Sequence, residues 1–220
     1  MGRVLARRSQ LAGWLLLAVT ATLIGFMSLR YLLGGAEMAP PDLRANFDLQ
    51  PAVFMAHVVA GSIALLIAPW QVAGQVRRRR PGLHRALGRV YAAAVLVAGT
   101  AALPMALHSS AGPIAGAGFG ALGVAWMACT GLGVQAARSG RMGEHRRWML
   151  RSVALTFAAV TLRVYLPLPG LVGWDPVEGY KAIAWACWVP NLVLVETWLR
   201  RPGRAGHHAV GGLAARSMSP

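Results

Sequence analysis

Two side chains of this 220-residue chain combine ligand-holding chemistry with unusual surroundings: His57 and Arg163, each set in an apolar run. Arginine carries a fixed positive charge and a planar fork of five N–H donors that suits a carboxylate or phosphate. Imidazole can ligate a metal or shuttle a proton near neutral pH. An arginine inside hydrocarbon costs at least about 2.5 kcal/mol on insertion scales, so Arg163 is expected to face protein, water or a ligand. Its stretch reads EHRRWMLRSVALTFAAVTLR. At 3.6 residues per turn, His145, Met149, Ser152, Thr156, Ala159 and Arg163 fall within about 40° of one line along a helix. His57 and Arg163 are expected at one depth, in a polar pocket with Gln71, Ser152 and Thr156. The competing reading has Arg163 snorkelling to the interface and His57 bonded to a neighbouring carbonyl.

A second set gathers at the opposite helix ends. His84 and Arg85 occur as LHR, and His145 and Arg146 as EHR. With Tyr91, Trp148 and Glu196 they form the candidate site on the cytoplasmic side. Their competing role is to touch lipid headgroups and satisfy backbone groups at helix entrances. His57, His84 and His145 are also the candidate ligands for a haem iron. His207 and His208, in the tail, are weaker metal candidates, and His108 reads as an exposed loop-edge residue. Cys129 and Cys187 sit in apolar runs without metal spacing and read as small core residues. No Ser/His/Asp set, P-loop, HExxH or CxxC occurs, so nothing supports a nucleotide enzyme or a hydrolase.

The elements that must position these groups are membrane spans. The chain is 56% hydrophobic and 13% charged, against about 25% charge in soluble domains. The net charge of +15 comes from arginines clustered between apolar runs, a membrane pattern, and no nucleic acid is expected as a partner. Six spans are expected at about 11–33, 51–72, 87–107, 114–136, 148–166 and 182–199, each long enough for a ~30 Å hydrocarbon core. The fold class is therefore all-α: a polytopic transmembrane bundle, since backbone groups in lipid must be satisfied within helices. The first run exceeds the 7–15 residues of a signal h-region and no A-x-A site follows, so it reads as an uncleaved span.

Six crossings put both termini on one side. Eighteen of the 22 Lys and Arg residues then share the side of the termini, while five of the seven acids lie opposite. The positive-inside rule places that arginine-rich side in the cytoplasm, in a bacterial inner membrane. Residues 1–10 form a cytoplasmic start, and the Gly/Ala/Ser-rich stretch 200–220 is expected to be a disordered cytoplasmic tail. Small and polar residues line single faces: His57, Gly61, Ala64, Ala68, Gln71 and Gln75 in the second run, and Gly112, Gly116, Gly120 and Gly123 in the fourth. Such faces let helix backbones approach closely. No broken helix or inverted repeat is legible.

The segments HVVAGSIALLIAPWQ, PGLHRALGRVY and EHRRWMLRSVALTFAAVTLRVYLP together resemble a bacterial membrane-protein family, domain of unknown function 2306. The resemblance covers about residues 57–167. It picks out His57, Gly61, Gln71, His84, Arg85, Gly88, Tyr91, His145, Arg146, Trp148, Met149, Arg151 and Arg163, and it implies a multi-pass inner-membrane protein without supplying a reaction. Three functions remain open at this point. The leading one is a redox module in which bundle histidines hold haem b and electrons pass between quinone and a periplasmic acceptor. Another is a binding or transport bundle for a small anionic ligand or lipid headgroup. The third is a structural protein of the bilayer with no catalysis.

Overall fold

The computed structural model describes residues 2–38 and 41–201. The described residues are 88% helical, with no strand among them. Six helical segments are long and apolar enough to cross a membrane: Leu11–Gly34, Pro51–Val72, Pro81–Leu107, Pro113–Arg138, Met142–Leu171 and Pro176–Arg200, hereafter spans one to six. Four of them open on proline, at Pro51, Pro81, Pro113 and Pro176. Proline lacks an N–H that the first helical turn could not use anyway, and its ring presets φ. This is why span three starts at Pro81, a turn and a half before its apolar run.

The spans pack in sequence order. Span two lies against span three, three against four and four against five, while span one covers span two and span six covers four and five. Missing side chains allow the close approaches. A Cβ on Gly116 would collide with the backbone oxygen of Ala106, and one on Gly118 would lie 3.0 Å from the oxygen of Ala184. Spans three, four and six are thereby held backbone to backbone, the usual device where lipid removes any hydrophobic drive between helices. Tyr91, Val95, Leu65, Leu155 and Cys187 fill the interior. Leu16, Leu23 and Phe26 of span one stay exposed, as befits side chains that meet acyl chains.

Three departures from the expected pattern matter for the interior. Span two ends at Val72, and Ala73 (φ −67°, ψ 107°) turns the chain out of the helix. Gln75 therefore belongs to the short helix Gly74–Arg79 and is exposed, rather than continuing the face of His57. Span five is interrupted at Phe157, between Met142–Thr156 and Ala158–Tyr165. Span six is interrupted at Cys187 and Trp188, between Pro176–Ala186 and Val189–Arg200. Pro190 supplies no N–H at the second break, and the Asn191 amide donates to the Cys187 carbonyl at 3.1 Å instead. The stretch expected as a tail, from residue 202 onward, lies outside the described residues.

Candidate functional site

A cavity of about 220 Å³ lies inside the bundle, and all six spans contribute to its wall. Ser28 and Tyr31 come from span one, His57, Ser62 and Leu65 from span two, and Met105 from span three. Trp126 comes from span four, Thr156 and Arg163 from span five, and Cys187 from span six. The short helix Pro41–Leu49 roofs one end. Its Asn46 lines the cavity and donates through Nδ2 to the His108 carbonyl at 3.3 Å, tying the roof to the turn after span three.

Arg163 anchors this site. One guanidinium nitrogen donates to the Ala159 carbonyl at 2.9 Å, one turn back on its own helix. Another donates to Ser28 Oγ at 2.7 Å. Ser28 spends its own proton on the Ile24 carbonyl at 2.8 Å, so its oxygen is free to accept from arginine. Among the described residues no carboxylate lies within ion-pair distance of Arg163. A half-buried cation thus borders an apolar cavity with its charge uncompensated.

His57 faces the same cavity. Its Nδ1 lies 2.9 Å from the Ala98 carbonyl. A carbonyl can only accept, so the proton sits on Nδ1 and Nε2 keeps its lone pair. Ser62, one and a half turns along span two, is 3% exposed, and its hydroxyl has no hydrogen-bond partner although it lines the cavity.

Beyond the cavity wall lies a buried hydroxyl network. Tyr91 Oη is 2.7 Å from both Ser152 Oγ and Thr156 Oγ1. Ser152 Oγ is 2.7 Å from Thr130 Oγ1. The Trp126 indole N–H donates to Thr156 Oγ1 at 2.9 Å. Thr130 and Thr156 also reach the Trp126 and Ser152 carbonyls, at 2.8 and 2.9 Å. Of the pocket residues expected from the sequence, the structure brings His57, Arg163 and Thr156 to one cavity. Ser152 stands behind Thr156, bonded to Tyr91.

Gln71 sits elsewhere. Its side chain lies over Gly88, where a Cβ would stand 3.3 Å from Oε1, and its Nε2 has no partner. Gly88 follows His84 by one turn of span three, so Gln71 belongs with the opposite end of the bundle. There His84 Nδ1 is buried without a partner, while His145 Nδ1 donates to the Gly133 carbonyl at 2.8 Å. The two imidazoles are close enough for their charges to interact, as are Arg77 and Arg85 with His84. Glu196 is not with them: it forms a two-point ion pair with Arg151, whose guanidinium stacks 4.6 Å from the Trp148 ring. Arg146 lies over Trp198. Glu144 pairs with Arg141. The nine residues named as candidates beyond the cavity therefore divide among a hydroxyl network, an imidazole pair and an ion-pair cluster. Among the described residues no three His, Cys, Asp or Glu side chains gather as a metal site. His207 and His208 lie outside the described residues.

Reasoning from sequence missed Ser28, Asn46, Ser62, Trp126 and Thr130. Ser62 and Thr130 did carry a signal, each being the single Ser or Thr of its apolar run. No match is found among curated proteins or among solved structures. One family model, described as "Predicted membrane protein (DUF2306)", matches residues 54–199. That match takes in spans two to six, and with them His57, Tyr91, Ser152, Thr156 and Arg163. With well over half of its length matched, this chain is a multi-pass membrane protein that belongs to the DUF2306 family.

Proposed function

We propose that the cavity holds an amphipathic molecule with an anionic head, and that the protein is a binding or transport bundle for such a solute or lipid headgroup. The observation that carries this reading is the Arg163 guanidinium, which lines an apolar cavity with no carboxylate within ion-pair distance among the described residues. An anionic oxygen would complete its donors, and a hydroxyl on the same head could donate to His57 Nε2. Leu65, Leu122 and Trp126 suit an apolar tail. Spans five and six kink at Phe157 and at Cys187–Trp188 without unwinding, and Thr156, Ala158 and Cys187 beside these points line the cavity, so its wall has places to flex during transport. The setting we propose is a bacterial inner membrane with both termini cytoplasmic, which rests on the arginine distribution.

A haem- or quinone-linked redox module has weaker support. His57 does hold its Nδ1 proton on a carbonyl, as metal-ligating imidazoles commonly do, and Nε2 could face an iron. Yet among the described residues it is the only imidazole in the cavity wall. Ligation of haem b between facing helices would need a second axial group there.

The test compares dodecyl phosphate with dodecan-1-ol, titrated into the full chain in lipid nanodiscs and read by tryptophan fluorescence. Hydrogen bonds to a charged partner contribute about 1.5–3 kcal/mol, so the phosphate should bind roughly ten- to a hundredfold more tightly. Equal affinity for the two would overturn the anion reading. A reducible Soret band in the purified protein would replace it with the haem reading.

A further inference from the structure

We propose that Thr130, Ser152, Tyr91 and Thr156 form a proton relay joining the cavity to a groove that leads to the other end of the bundle. The groove, of about 370 Å³, lies between spans three and four and is lined by Thr130, Gln135, Arg138 and Ser139 together with the apolar Ala92, Val95, Leu96, Met127 and Val134. Arg138 and Ser139 are exposed at the end of span four, so the groove runs from the buried Thr130 hydroxyl to the surface. Thr156, at the other terminus of the chain of hydroxyls, lines the cavity. The three oxygen–oxygen steps between them are 2.7 Å each.

Counting protons shows why this is more than core satisfaction. Four hydroxyls bring four protons, and there are two ways to place them so that every one is used and each of the three hydroxyl–hydroxyl contacts carries one. In the first, Thr130 donates to Ser152, Ser152 to Tyr91, Tyr91 to Thr156, and Thr156 to the Ser152 carbonyl. In the second every arrow reverses, and Thr130 finishes on the Trp126 carbonyl. The indole N–H of Trp126 donates to Thr156 in both. A buried hydroxyl without an acceptor would penalise one orientation, but here a carbonyl waits at each terminus. The two states are equally complete in hydrogen bonds.

Passage of a proton is what converts one state into the other. A proton taken up at Thr130 Oγ1 from the groove lets Thr130 release its own to Ser152. Ser152 passes one to Tyr91, and Tyr91 to Thr156. Thr156 swings the proton it held on the Ser152 carbonyl toward the cavity and gives it to a water molecule there, which leaves as hydronium. One O–H bond forms and one breaks at each oxygen, no net charge remains, and the four hydroxyls are left in the second orientation. Their rotation back resets the path. The relay uses only this chain's hydroxyls and stands apart from what occupies the cavity.

The experiment is proton flux into vesicles of phosphatidylcholine and phosphatidylglycerol carrying the full chain. Lumenal pyranine reports pH, and a potassium gradient with valinomycin supplies the drive. Vesicles with the parent protein should acidify faster than protein-free vesicles. Tyr91→Phe, which deletes the central hydroxyl and keeps the ring, should lower the protein-dependent rate about a hundredfold, the scale of a positioned proton-transfer group. Thr156→Ser should retain the flux and Thr156→Val should lose it, a split that packing alone would not produce. This pair also decides the matter if Tyr91→Phe fails to fold. Thr197→Ala, on the exposed face of span six, should match the parent. A parent no faster than protein-free vesicles would overturn the relay, and so would a Thr156→Val protein as fast as Thr156→Ser.

Discussion

Arg163 on span five and Ser28 on span one are joined by a 2.7 Å hydrogen bond across 135 positions of sequence. The serine accepts, because its own proton is already committed to its helix. A neutral oxygen cannot balance a guanidinium, so the contact orients the charge without cancelling it. Arg163→Gln therefore separates binding from folding. It surrenders two charge-assisted hydrogen bonds, to Ser28 and to the Ala159 carbonyl, each worth about 1.5–3 kcal/mol, and relieves a charge that costs at least about 2.5 kcal/mol in hydrocarbon, so the opposing terms largely offset. The variant should melt within roughly 4 °C of the parent in nanodiscs while no longer preferring dodecyl phosphate to dodecan-1-ol. A markedly lower melting temperature would mean that Arg163 is there to hold spans one and five together.

His57 offers a cleaner division, since its two nitrogens have different tasks. Nδ1 tethers span two to the Ala98 carbonyl of span three, and Nε2 faces the cavity. An asparagine amide can occupy the Nδ1 position, whereas a glutamine amide reaches nearer to Nε2. His57→Asn should keep the parent's melting temperature and weaken dodecyl phosphate binding. His57→Gln should lower stability by about 1 kcal/mol, the worth of one hydrogen bond, and hold the ligand better than asparagine does. Thermal unfolding and fluorescence titration on both variants measure this. The reverse ranking would assign the imidazole to packing.

Helical periodicity made the faces legible and left the depths and partners to tertiary structure. It put Ser152, Thr156 and Arg163 on one stripe, and it put His57 and Gln71 on one face. Yet 14 residues of helix span about 21 Å, so Gln71 lies against Gly88 far from His57. Ser152 and Thr156 turn to Tyr91 because Tyr91 and Thr130 arrive from other helices, and a single stripe cannot reveal who faces it. The six apolar runs were plain from length and composition. The break at Cys187–Trp188 had a marker in Pro190, but the break at Phe157 has neither proline nor glycine and left no trace in the pattern. Ser28 shares span one with Thr20 and Thr22, and nothing in the pattern sets it apart from them.

Close backbone contact between spans three and four can be tested by adding bulk at one glycine and not another. Gly116 faces the Ala106 oxygen, while Gly131 has nothing within 4 Å. Gly116→Val must push the helices apart and should cost about 1–3 kcal/mol, the usual penalty of overpacking. Gly131→Ala adds a methyl to an exposed helical position and should stabilise by roughly 0.5–1 kcal/mol. Chemical denaturation of the two in mixed micelles gives both signs at once. Equal effects would place the packing of this helix pair elsewhere.

The direction of the bundle is open to labelling at its two ends. Val172 is 72% exposed in the turn between spans five and six, near the cavity end. Ser139 is exposed at the opposite end, between spans four and five. The native thiols, Cys129 and Cys187, are buried, so a membrane-impermeant maleimide should find little background. Arginines crowd the end of Ser139, and cytoplasmic loops are the ones enriched in Lys and Arg. Val172→Cys should therefore label in intact bacterial cells and Ser139→Cys only after the membrane is opened. If Ser139→Cys is the one that labels in intact cells, the bundle is inverted. The cavity with Arg163 would then draw its ligand from the cytoplasm, and the relay from Thr130 to Thr156 would run in the opposite sense.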